Sequence, residues 1–194
     1  MATDPTGPGS DRRAMAPAET YARLCALASL IAAAEEDPAR RLAPLCDALW
    51  EALAPLGVSW IGFYLAPEAD GRACGGSGGE LILAARRDKP ACSPIGLHGA
   101  CGQSFREEAI RLIDDVALLG AGYIACDPRD RSELVIPIYR AGKVWGVLDA
   151  DSHAVRCFGE ADARGLASVL SSAGLLERTL PLRQTRLHES AGKI

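Results

Sequence analysis

Seven cysteines occur in the chain, and three of them stand apart from the others. Cys92, Cys101 and Cys126 lie in or beside stretches rich in Gly, Pro and Asp, where reactive groups are usually presented. Cys92 follows Lys89-Pro90-Ala91. Cys101 sits in Gly99-Ala100-Cys101-Gly102 at an expected helix start, and Cys126 is followed by Asp127, Arg129 and Arg131. A helix N-terminus and basic neighbours both favour the thiolate, which is the nucleophilic form. The other four read as filler. Cys25 and Cys46 fall on apolar helix stripes, Cys74 lies in a glycine-rich loop, and Cys157 precedes Phe158 at a helix start. Zinc is disfavoured. Cys92, His98, Cys101 and Cys126 are spaced C-x5-H-x2-C and C-x24-C, without the C-x2-C knuckle of structural zinc sites.

Acidic residues form the second group. Asp149 and Asp151 are two apart in VWGVLDAD, so on a strand both side chains point to one face. Two carboxylates in an apolar strand are costly to desolvate. They are either solvated strand ends or a carboxylate pocket, and such a pocket would bind an ammonium group or hold a proton for a polar oxygen. Glu133 opens the partner strand. It shares their face only in the right register, because a one-residue slip flips every side chain. A three-residue loop, Arg140-Ala141-Gly142, places Glu133 opposite Asp149, and Gly142 suits the left-handed third position of that loop. The expectation is a type I turn with a bulge at Gly142.

The elements that carry these residues follow from periodicity and breakers. Leu24, Leu27 and Ile31 mark a first helix from Thr20. Leu42, Leu45, Cys46 and Leu49 mark a second from Pro38 to about Ala54, where Pro44 is tolerable only in the first turn. Val58–Ala66 and Leu81–Ala85 read as strands, Cys101–Ile110 as a helix and Arg111–Asp115 as a short strand. Ser132–Tyr139 and Lys143–Ser152 form the clearest hairpin. Gly159–Leu180 reads as a long amphipathic helix. Hairpin-linked strands with flanking helices imply an α+β layer built on an antiparallel sheet. No GxGxxG or GxxxxGKS is present, so nothing supports a nucleotide fold.

Composition bounds the rest. The chain has 194 residues, 48% hydrophobic and 24% charged, with a formal net charge of −4. That is ordinary for one globular domain and argues against nucleic-acid binding. No uncharged stretch exceeds 16 residues, and the more apolar of that length, 52–67, is broken by Pro55, Gly57 and Gly62, so no membrane anchor is expected. The N-terminus has no apolar signal region. A cytoplasmic location follows, and in that compartment the cysteines are not structural disulfides. The expected organisation is a disordered leader over 1–17, one domain over 18–180 and a polar tail over 181–194.

Taken together, the motifs resemble the free methionine-(R)-sulfoxide reductases, which are single-domain GAF proteins. The matching stretches are W-I-G-F-Y (60–64), K-P-A-C (89–92), G-A-C-G (99–102), I-A-C-D (124–127), R-S-E-L-V-I-P-I (131–138) and G-V-L-D-A-D-S (146–152). The resemblance implies a six-stranded antiparallel sheet with helices mainly on one face, and a thiol mechanism without metal or cofactor. It implies Cys126 as nucleophile, Cys92 as resolving cysteine and Cys101 as a third thiol able to join disulfide exchange. Trp60 and Tyr64 would line the methionine pocket. Glu133, Asp149 and Asp151 would hold the sulfoxide oxygen and the amino-acid head group. The implied partners are free methionine-(R)-sulfoxide and thioredoxin as reductant, with a homodimer compatible. The sequence departs from the family in reading A-A-R-R-D before Lys89, and in loops of altered length on either side of Cys101. The rival reading is a GAF module that binds a small ligand or senses redox state without turnover. The leader and tail together are short for an output domain, which is usually at least about 50 residues.

Overall fold

The computed structural model describes residues 15–67, 79–122 and 126–186. Two helices come first, α1 (Ala18–Ala34) and α2 (Pro38–Leu53), followed by strands β1 (Trp60–Leu65), β2 (Glu80–Arg87) and β3 (Ile95–Gly96). Helix α3 (Ala100–Glu107), strands β4 (Ile110–Ile113), β5 (Ser132–Arg140) and β6 (Lys143–Ser152), helix α4 (Glu160–Ser172) and strand β7 (Leu182–Thr185) complete it. The sheet order is β3-β2-β1-β6-β5-β4-β7. All pairings are antiparallel except β4 with β7.

The α+β architecture expected from the sequence is present, with seven strands instead of six. The extra strand comes from the expected tail. Leu182–Thr185 pairs with β4, and Gln184 Nε2 donates to the buried Asp114 carboxylate at 3.2 Å. The last residues of the expected leader are also ordered. Asp162 is fully buried and accepts hydrogen bonds from the N–H groups of Met15 (2.9 Å) and Ala16 (3.2 Å), from the Tyr21 hydroxyl (2.8 Å) and from the Gly159 N–H (2.7 Å). Residues 1–14 and 187–194 and the loop cysteine Cys74 lie outside the described residues. Helix α4 stops at Ser172, short of the expected Leu180, because Gly174 turns left-handed at φ +69°. Pro44 falls inside α2 rather than in its first turn. It is exposed there, so water can reach the carbonyl whose helical partner it removes. Among the described residues no helix is long and apolar enough to cross a membrane.

Helices α1, α2 and α4 cover one sheet face, against Ile61, Phe63, Leu134, Ile136, Leu148 and Ala150. The alternate residues face the other way. Trp60, Tyr64, Val135 and Val147 pack there with Ala100, Cys101 and Phe105 of α3. Glu133, Asp149 and Asp151 belong to this second face.

Their alignment differs from the expected one. The β5–β6 turn has two residues, Ala141 (φ +51°) and Gly142 (φ +75°), so both central positions are left-handed, as in a type I′ turn. Arg140 pairs with Lys143, and that register alone would put Glu133 across from Ala150. A bulge intervenes. Tyr139 pairs with Val144 but Ile138 pairs with Gly146, leaving Trp145 as the extra residue. Beyond it Glu133 lies opposite Asp151, and Val135 lies opposite Asp149. The shared face survives, through a bulge at Trp145 rather than a longer turn. Ala141 pays for the turn with a left-handed backbone costing about 1 kcal/mol. Ala141→Asn should therefore raise stability by about 0.5–1 kcal/mol in a denaturant titration, because Asn tolerates that region.

Candidate active site

A cavity of about 420 Å³ opens on the second sheet face, and all eight candidate residues line it: Trp60, Tyr64, Cys92, Cys101, Cys126, Glu133, Asp149 and Asp151. Its floor is strand-built. In β1, Trp60 lies across from Asp151 and Gly62 across from Asp149. A Cβ on Gly62 would lie 2.3 Å from the Trp60 ring, so the missing side chain is what admits the indole. One wall is the start of α3. Gly102 packs so tightly on Leu97 that a Cβ would sit 2.1 Å from its Cα, which brings Cys101 down onto the acids.

The aromatic residues hold the rim as well as lining the pocket. Trp60 Nε1 donates to the Lys89 carbonyl at 3.0 Å, and the Tyr64 hydroxyl donates to the Cys92 carbonyl at 2.9 Å. The rings lie 6.0 Å apart, and together they pin both ends of the segment that carries Cys92. The sequence reading assigned these two residues only to the pocket wall. A hydrogen bond to a distant main-chain carbonyl leaves no signature in local spacing.

The thiols divide into two environments. Cys92 and Cys126 are exposed and Cys101 is buried; all three are free thiols. Cys126 and Cys92 line the cavity together. Loss of hydration and the neighbouring Cys92 thiol push Cys126 up to about 12. Arg129 and Arg131, part of the mixed charge that follows Cys126 in sequence, are paired with Asp127 (2.8 Å) and Asp115 (2.8 Å). Cys101 corrects an expectation. It lies in the first turn of α3, yet burial and the nearby Asp149 and Glu133 hold its thiol well above the usual range. A helix N-terminus is worth about 0.3–1 kcal/mol, less than the desolvation of a fully buried thiolate.

The acids are equally displaced. Burial raises Asp149 to about 7, opposed by the hydrogen bond from Cys101. Burial, with Asp149 and Glu133 alongside, holds Asp151 well above the carboxylate range. Asp149 Oδ1 is buried and lacks a hydrogen-bond partner within the protein. The site can therefore donate a proton or accept a cationic group, and it places two exposed thiols beside those acids. Ligand atoms of Cys101, Glu133 and Asp149 lie within 4.8 Å of one another. Binding a metal there would require deprotonating Cys101, whose thiol this environment holds well above its usual range.

Five further residues gather at the mouth. Asp127 pairs with Lys89 and Arg129, and His153 Nε2 lies 3.4 Å from Asp127 and 3.7 Å from Asp130. The sequence analysis gave Lys89 and Asp127 no role, although each stands within three residues of a candidate cysteine.

The comparisons with known proteins follow this geometry. The family described as GAF domain matches residues 39–176. The free methionine-R-sulfoxide reductase of Escherichia coli (strain K12) is 31% identical over 164 residues, covering 84% of this chain and 89% of that protein. Protein YtsP of Bacillus subtilis (strain 168) is 38% identical over 125 residues, covering 63% of this chain and 69% of that protein. The crystal structure of free methionine-R-sulfoxide reductase from Neisseria meningitidis, in complex with its substrate, superposes with a TM-score of 0.68 at 32% identity. It covers 80% of this chain and 87% of that one.

The displaced Asp149 makes a stability statement. An unfolded carboxyl titrates near 3.8 and the folded one near 7, so folding is penalised progressively as pH rises between those values, and fully above 7. Asp149→Asn should melt at least about 3 °C higher than the parent at pH 8, with the gain shrinking as pH falls toward 4. Thermal melts at pH 5 and pH 8 check this.

Proposed function

The chain belongs to the free methionine-R-sulfoxide reductase family of GAF-domain proteins, and from that premise we propose that it reduces free L-methionine-(R)-sulfoxide to L-methionine, with a disulfide intermediate re-reduced by thioredoxin in the cytoplasm. The observation that carries the reading is that Cys126 and Cys92 line the same cavity as Glu133, Asp149 and Asp151.

Cys126 attacks the sulfoxide sulfur. The oxygen must leave the substrate, and a neutral carboxyl among the acids protonates it. Asp149, raised to about 7, is suited to hold that proton near neutral pH. The new S–S bond and the substrate S–O bond break as the protonated oxygen passes to the Cys126 sulfur, so methionine departs and Cys126 is left as the sulfenic acid. Cys92 then condenses with it, expelling water and forming the disulfide. A low-potential dithiol protein such as thioredoxin restores both thiols. The neighbouring acid groups take the substrate's ammonium group, whose positive charge favours their ionised form. A residue inside a peptide has no free ammonium to offer, so the reading restricts the substrate to the free amino acid. Cys101 is buried against Asp149 and serves as the reserve thiol.

The acid must be protonated and Cys126 ionised, so kcat/KM should rise with pH up to about 7 and level off above it, where loss of the Asp149 proton offsets the gain in Cys126 thiolate. Cys126→Ser should abolish methionine formation. Cys92→Ser should release about one methionine per site and then stall, because attack precedes resolution. Following methionine from each epimer, free and within a peptide, with a thioredoxin system as donor, tests the whole reading. Comparable turnover of the S epimer or of the peptide would overturn the specificity. Absence of steady consumption would favour a redox-sensing module instead.

A further inference from the structure

Lys89 precedes Cys92 by three residues, and Asp127 directly follows Cys126. The two side chains form an ion pair at the mouth of the cavity. Each partner is anchored independently. The Lys89 carbonyl accepts the Trp60 indole N–H at 3.0 Å. The Asp127 carboxylate accepts the Arg129 backbone N–H at 3.0 Å and its guanidinium at 3.0 and 2.8 Å. His153 Nε2 completes the cluster, 3.4 Å from both Lys89 Nζ and Asp127 Oδ2. The pair is shielded, with side-chain exposures of 27% for Lys89 and 12% for Asp127. Arg129 and Lys89 hold the Asp127 carboxyl far below the usual range, so it stays charged.

Among the described residues it is the ion pair that joins the two cysteine loops directly. Among the described residues no backbone-to-backbone hydrogen bond runs between 88–94 and 126–131. Both thiols are exposed, so core packing does not set their separation. A sulfenic sulfur and its resolving thiol must nevertheless meet in bonding geometry, and small misplacements cost large factors in rate.

We propose that the Lys89–Asp127 ion pair is a clasp that holds the Cys92 loop against Cys126, making both residues positioning residues for disulfide formation rather than for attack on the substrate. The assignment rests on the thiol mechanism above. In the clasped step the Cys92 sulfur bonds to the Cys126 sulfur, the S–O bond breaks, and the oxygen leaves as water with the thiol proton. The oxidising equivalents come from the sulfoxide through the sulfenic acid, so no further oxidant enters.

The test is a rapid-quench single turnover with one equivalent of free methionine-R-sulfoxide and no reductant. It compares the parent protein with Lys89→Gln, Asp127→Asn and Lys89→Arg, each checked for folding by circular dichroism. Methionine, disulfide and diketone-trapped sulfenic acid are followed together. In Lys89→Gln and Asp127→Asn, methionine should appear at the parent rate while the disulfide forms about 10- to 100-fold more slowly. Trapped sulfenic acid should accumulate, and Lys89→Arg should restore most of the rate. Disulfide formation at the parent rate in Lys89→Gln would overturn the clasp. So would a loss of methionine release in step with it, which would place Lys89 on the substrate. No methionine from the parent protein would overturn the underlying mechanism, a result distinct from either.

Discussion

Three carboxyl groups on adjacent strands, Glu133, Asp149 and Asp151, are turned toward a sheet face otherwise built from Trp60, Tyr64, Val135 and Val147. An unpaired buried carboxylate is among the most costly groups a fold can carry. The remainder of this half of the molecule answers that problem without removing it. Desolvation holds Asp149 and Asp151 toward their neutral forms, and the cavity leaves Asp149 Oδ1 without a hydrogen-bond partner among the described residues. A better-compensated cluster would be more stable, and it would have no proton to give and no attraction for a cation.

Charge is sorted by depth across the site. At the mouth, Asp127 is ionised and matched by Lys89 and Arg129. On the floor, Asp149 and Asp151 are held toward their neutral forms. The exposed thiols, Cys92 and Cys126, lie between these regimes, while Cys101 belongs wholly to the floor. The exposed thiols and the buried acids thus sit in different surroundings within one cavity. The aromatic pair on β1 links the layers, because Trp60 and Tyr64 touch the floor through their strand and the rim through Lys89 and Cys92.

Much of this was legible in the sequence. The α+β layering, the hairpin, the three loop cysteines and the shared face of Asp149 and Asp151 follow from strand alternation and from glycine-rich breaks. What was hidden is non-local or one residue wide. The Trp145 bulge is decided by packing, with Trp145 entering the helix-side core, and no residue type announces it. Strand β7 has a polar sequence and exists because β4 offers it an edge and Asp114 offers Gln184 a partner. The helix-start argument for Cys101 failed because burial outweighs the helix dipole, and burial is a tertiary property. The charge neighbours of Cys126 decide nothing from sequence for the same reason, since their partners are set by the fold.

The bulge has a consequence for how such a chain can change over generations. The face on which Glu133 stands is fixed by parity, that is, by whether the number of residues between it and Asp149 keeps both side chains on one side of the sheet. A single-codon insertion or deletion anywhere in that span reverses the parity and drives Glu133 toward the helix-packed side. Length variation in the hairpin is therefore confined to steps of two, or to one step accompanied by loss or gain of the bulge. Substitutions there can accumulate singly, but changes of length have to come in compensating pairs.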